Sequence, residues 1–248
     1  MRHLLRPLTL LALLAAGQAQ AAEPLRIAVA ANLLPVMEEI ASHYQQHSGT
    51  TVQLVGGSSG AFFEQIQRGA PFDLFYSADA ERPEKLAASG AGTAAATYAC
   101  GRLALWSPRA KPALNALPDG KIAIAQPDTA PYGKASQQAL ERSGQWPALQ
   151  PRIVFGQDIG QAFQFIKTGN APSGFVALSQ LTAADVPDDQ YAQVDATLYD
   201  PLVQKRVVLA RDARKADAEA FVEFFDKQQD TLKAAGYALP GETGCAAQ

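Results

Sequence analysis

Between residues 25 and 88 the chain alternates three times between a short apolar run and an amphipathic stretch, and this rhythm restricts the fold more than any other feature. Residues 25–31 (LRIAVAA) read as a strand. Residues 34–47 read as a helix, with Val36, Met37, Ile40, Ala41 and Tyr44 spaced by three and four on one face. Gly49 supplies the stop. A second strand at 51–55 precedes a helix at 60–68, with Phe62, Phe63 and Ile66 inward, and a third strand at 73–76 precedes a helix at 80–88. Strand, helix and strand in this order predict an α/β fold with a parallel sheet covered by helices on both faces. Further strands are expected at 102–106, 121–125, 174–178 and 206–210, and further helices at 133–143, 159–168 and 216–235.

Open α/β sheets hold ligands beyond the carboxyl ends of their strands. Three consecutive strand ends carry small polar residues: Ala31-Asn32, Gly56-Gly57-Ser58-Ser59-Gly60 and Ser77-Ala78-Asp79. Ala130-Pro131-Tyr132-Gly133 and Gln157-Asp158-Ile159-Gly160 form a second rim of the same kind. Helix starts expose free N–H groups and a partial positive charge, which suits an anion. None of these turns contains Lys or Arg. The anion is therefore expected to be small and held by neutral donors.

The rest of the sequence narrows the chemistry by exclusion. Arg2, His3 and Arg6, the apolar run 8–16 and Ala19-Gln20-Ala21 have the three parts of a secretory signal, cut before Ala22. Its apolar run is about half of what a membrane span needs. Loss of residues 1–21 removes two arginines and no acid, so the net charge falls from −3 to −5. That balance argues against nucleic acid and anionic membrane surfaces as partners. His43 and His47 lie on the polar side or end of the first helix, so a Ser-His-Asp relay lacks a base. No Cys or His cluster has the spacing of a metal site. The glycine run lacks the Gly-Lys-Ser/Thr ending of a P-loop. Asp79 reads as a helix cap and not as the acid-base partner of Asp73. Cys100 and Cys245 are the only cysteines, and in an exported chain a bridge between them is expected over two free thiols.

The residues as a set resemble the periplasmic molybdate-binding proteins of ABC importers. The resemblance runs through Val29-Ala30-Ala31-Asn32, Gly57-Ser58-Ser59-Gly60, Gly69-Ala70-Pro71-Phe72-Asp73-Leu74-Phe75 and Ser77-Ala78-Asp79. It continues at Ala130-Pro131-Tyr132-Gly133, Gly169-Asn170-Ala171 and Gly174-Phe175-Val176-Ala177-Leu178-Ser179-Gln180, so it covers about 25–240. It implies a two-lobed solute-binding fold of class II, each lobe a mainly parallel sheet flanked by helices, with the ligand in the cleft. Lobe one would be 22–101 with 205–248, and lobe two 102–204.

By position, the resemblance assigns the oxyanion to Ala31, Asn32, Ser59 and Ala78 from lobe one and to Tyr132 and Ile159 from lobe two. One branch of the family takes a tyrosine from the later strand, where this chain has Ala177, so the role falls to Tyr132. Molybdenum would be reached only through its oxygens, with no direct protein ligand and no cofactor. The implied role is binding of molybdate, and of tungstate, in the periplasm by a monomer that delivers it to a membrane permease. Two rivals stand beside it. One is a binding protein for sulfate or another small oxyanion. The other is a periplasmic hydrolase or transferase acting on an anionic ester, with Ser59 as nucleophile, and it lacks an evident base.

Overall fold

The computed structural model describes residues 23–211 and 213–245, and the leader read at 1–21 lies outside them. The strands are β1 (Leu25–Ala30), β2 (Val52–Gly57), β3 (Leu74–Tyr76), β4 (Ala96–Gly101), β5 (Leu103–Trp106), β6 (Ile122–Ala125), β7 (Ile153–Gly156), β8 (Ser173–Ala177), β9 (Tyr191–Gln193) and β10 (Leu202–Val208). The helices are α1 (Leu34–Ser48), α2 (Ser59–Gln67), α3 (Glu81–Ala88), α4 (Pro131–Arg142), α5 (Trp146–Leu149), α6 (Ile159–Lys167), α7 (Leu178–Ala183), α8 (Ala213–Asp226) and α9 (Gln229–Ala234).

Two five-stranded sheets result, in the orders β2-β1-β3-β10-β4 and β7-β6-β8-β5-β9. In the first, β1 pairs in parallel with β2 and β3, while β10 runs antiparallel to β3 and β4. In the second, β6 is parallel to β7 and β8, while β5 is antiparallel to β8 and β9. Each sheet is thus a parallel βαβ core closed by antiparallel strands. Those added strands lie where the chain crosses between sheets. The first crossing is the single residue Arg102 between β4 and β5, and the return lies between β9 and β10.

Helix α1 buries Val36, Met37, Ile40, Ala41 and Tyr44, the face its spacing predicts, and ends at Gly49 with φ +73°. The predicted strand at 174–178 is shifted by one residue, because Leu178 starts α7, whose Gln180 side chain accepts the Ala177 N–H at 3.1 Å. The single helix expected over 216–235 is two. Lys227 and Gln228 donate N–H groups three residues back, to Phe224 and Phe225, and the chain turns there without Gly or Pro. That turn lets Leu232 and Tyr237 join Phe221 and Phe225 in the core under the first sheet.

Cys100 on β4 is bonded to Cys245 across 145 residues. Cys100 and Ala238 also exchange backbone hydrogen bonds of 2.8 and 3.0 Å, so the C-terminal segment is clamped to the sheet edge. On the chain-entropy account a loop of this length contributes about 5 kcal/mol.

Candidate functional site

The carboxyl ends of β1, β2 and β3 face the starts of α4 and α6 across a narrow cleft. A small, partly open cavity lies there, with a volume of ≈ 10 Å³ and Ala31, Asn32, Ser59, Ala78, Tyr132 and Ile159 all in its wall, beside a wider opening of ≈ 530 Å³ that shares Gly57, Ser58 and Asp158. The free space between these residues is about that of one water-sized sphere. Gly57, Ser58, Ala130, Pro131 and Asp158 complete the wall, which contains no Lys or Arg.

Three helices, α2, α4 and α6, point their starts at this space. First-turn N–H groups have no acceptor within their own helix. In α2 the Gly60 N–H bonds the Thr129 carbonyl at 2.8 Å, which leaves that of Ser59. In α6 the Asp158 side chain caps the Gln161 N–H at 2.9 Å, which leaves those of Ile159 and Gly160 and accounts for the one carboxylate at the wall. In α4 Pro131 occupies the first position and Tyr132 follows with the first N–H.

Side chains set further directions. The Ala78 N–H donates to Ser59 Oγ at 3.0 Å, so the serine oxygen is an acceptor on that side and its proton is available to the cavity. The Ala78 N–H is thus engaged by Ser59. Ala31 N–H is engaged by Gly57 O at 2.9 Å, which holds the first turn against the second. Asn32 Nδ2 donates to Gln204 Oε1 at 3.0 Å and to Tyr237 OH at 2.9 Å. Its side chain is therefore part of the support, and the residue itself lines the cavity. Asn32 Oδ1 is buried without a partner. Burial, reinforced by nearby Tyr237, pushes the Tyr132 phenol well above its ordinary range and keeps it a neutral donor.

The residues weighed for other chemistry sit elsewhere. His43 and His47 are exposed on α1. Asp73 is held by Arg214, whose Nε reaches Oδ1 at 2.7 Å, and by the Arg26 N–H at 2.7 Å. Asp79 Oδ1 accepts the Arg82 N–H at 3.0 Å at the start of α3. Ala177 lies outside the cavity wall, with its N–H given to Gln180. Sequence reasoning missed Gln204, Tyr98 and Tyr237 behind the cavity. They come from β10, β4 and the C-terminal segment, and no local pattern links them to the first turn.

Bonds between the sheets hold the cleft shut. Ser58 Oγ and Gly60 N both donate to the Thr129 carbonyl, at 2.6 and 2.8 Å. Arg82 Nη2 reaches Asp128 O at 3.3 Å, and Ser179 Oγ reaches Asn32 O at 2.9 Å.

Comparison with known proteins agrees with this architecture. Residues 25–238 match the bacterial extracellular solute-binding protein family. The molybdate-binding protein ModA of Azotobacter vinelandii is 40% identical over 239 residues, covering 91% of this chain and 94% of that protein. ModA of Rhodobacter capsulatus is 39% identical over 204 residues, covering 79% and 80%. The solved structure of the A. vinelandii periplasmic molybdate-binding protein superposes with a TM-score of 0.81 at 37% identity, covering 87% of this chain and 99% of that one. The chain belongs to the bacterial extracellular solute-binding protein family, and relatives 39–40% identical to it are molybdate-binding proteins.

Proposed function

We propose that this chain captures molybdate, and tungstate by the same chemistry, and delivers it to the membrane subunits of an ABC importer. It is a binding protein and not an enzyme, as its family membership gives. The observation that carries the ligand is the small cavity where three helix starts converge and whose wall has no Lys or Arg. Export to the periplasm behind a leader at 1–21 is part of the proposal, supported by the extracellular family. So is a division into lobes at 101/102 and 204/205, which the two sheets support to within the first residues of β10.

A buried dianion without a counter-charge needs its lone pairs satisfied, or desolvation prevents binding. Asn32 N–H, Ser59 N–H and O–H, Tyr132 and Ile159 N–H supply donors from both lobes. Charge-assisted bonds contribute about 1.5–3 kcal/mol each, so five or so support a sub-micromolar site together with the helix starts. These donors disfavour a protonated oxyanion such as hydrogen phosphate, whose O–H requires an acceptor, because the one carboxylate at the wall, Asp158, is turned to the Gln161 N–H. Sulfate carries the same charge and no proton, and the fit of the cavity must separate it from molybdate.

Calorimetric titration with molybdate, tungstate, sulfate and phosphate tests the proposal. Molybdate and tungstate should bind at least tenfold more tightly than sulfate, and phosphate weakest. Sulfate binding as tightly as molybdate would reassign the ligand.

A further inference from the structure

Behind the cavity wall lies a buried polar network that the donor inventory does not use. Gln204 on β10 is fully buried and does not line the cavity. We propose that Gln204 is a positioning residue that commits the Tyr132 hydroxyl proton to the bound anion, an inference that rests on reading the cavity as an oxyanion site.

The direction of each bond fixes the next. Tyr237 O–H donates to the Asn32 carbonyl at 2.9 Å, so the phenol oxygen receives Asn32 Nδ2. The same Nδ2 reaches Gln204 Oε1, where the Tyr98 hydroxyl also lies at 2.7 Å. The Tyr98 proton is shared with the Ser77 carbonyl at 3.0 Å, but Asn32 Nδ2 can only donate, so the oxygen end of the Gln204 amide faces it and Gln204 Nε2 turns toward the Tyr132 oxygen at 3.3 Å. An N–H can only donate, so the Tyr132 oxygen is an acceptor there and its single proton is free for the cavity that Tyr132 lines. Were the amide reversed, Tyr132 would give its proton back to Gln204 and present a lone pair to a dianion.

The backbone leaves room for this contact. A Cβ at Gly101 would stand 2.1 Å from the Tyr132 hydroxyl and 2.5 Å from Gln204 Nε2. Gly101 is the last residue before the chain crosses between sheets, so the pair meets at the crossing itself.

Two double-mutant cycles read by molybdate titration test this, with circular dichroism as the check on folding. The first combines Gln204→Met with Tyr132→Phe, and the second combines Gly101→Ala with Tyr132→Phe. Each single change should weaken binding by about ten- to a hundredfold, the worth of one charge-assisted donor. In each cycle the double variant should bind no worse than the weaker of its two singles, because all three changes remove one donor. If Gln204→Met does not fold, Gln204→Glu, which has the same size and lacks the N–H donor, carries the test and should lose the same factor. Losses that multiply in the folded cycles, or a folded Gln204→Met that binds like the wild type, would overturn the inference while molybdate binding stands. A wild type that binds no molybdate would overturn both.

Discussion

Ser59 shows how a neutral residue can be made into a strong donor. Its oxygen is already bonded by the Ala78 N–H, its backbone N–H opens α2, and the side chain is 1% exposed. Ser59→Ala should therefore weaken molybdate binding by about 1–3 kcal/mol, and Tyr132→Phe by a similar amount, with little change in folding. Unchanged titrations in both variants would remove them from the site. The tyrosines carry a second consequence. Tyr76, Tyr98, Tyr132 and Tyr237 are buried, and burial is the leading cause that raises each phenol above its ordinary value of 10.0. Above that pH the unfolded chain releases protons that the folded chain keeps, so their contribution is intact below pH 10 and is lost as pH rises through the folded values. Melting temperature should fall steeply above pH 10, with phenolate absorbance from these four appearing only as the chain unfolds. Titration of all four near pH 10 in folded protein would contradict this.

At the scale of elements, the start of α2 is where the two lobes touch with no clearance. A Cβ on Gly60 would lie 2.8 Å from Thr129 O and 2.9 Å from Thr129 Cα, both backbone atoms. Alanine is the better helix former by about 1 kcal/mol, so Gly60→Ala should leave the ligand-free melting temperature unchanged or slightly raised. Closure should be opposed by about 1–3 kcal/mol, a loss of about ten- to a hundredfold in affinity. Wild-type affinity in this variant would show that closure does not bring Thr129 this near. Such turns were legible in the sequence because a strand end, a glycine and a helix start are consecutive residues. The α1 face was legible for the same reason, since its period is local. What escaped was non-local or unmarked. Strand β9 has three residues, β7 is a partly exposed edge strand, and β4 is ordered by β10 far along the chain. The break between α8 and α9 carries no Gly or Pro. Gln204 and Tyr237 lie 172 and 205 residues from the Asn32 they support, so only the folded sheet brings them to the site.

At the scale of the whole molecule, the proposed donors are divided between the two halves. Asn32 and Ser59 belong to the elements around the first sheet, Tyr132 and Ile159 to those around the second. The small residues Ala30 and Ala78 from the first rim pack into the core of the second half, so closure also buries apolar surface. Anion binding and closure are then one event, and a ligand that prefers the closed form shifts the population toward it. It should also stabilise the fold by RT ln(1 + [L]/Kd), about 4 kcal/mol at a thousandfold excess over Kd. Sulfate, seated less well among the same donors, should give less. Thermal melts with and without millimolar molybdate should differ by several degrees, and small-angle scattering should report a smaller radius with molybdate than without. Under the proposed function, a closed particle would present both halves in one fixed arrangement to a membrane permease. Identical melts in the two conditions would defeat this coupling, whatever the cavity residues do.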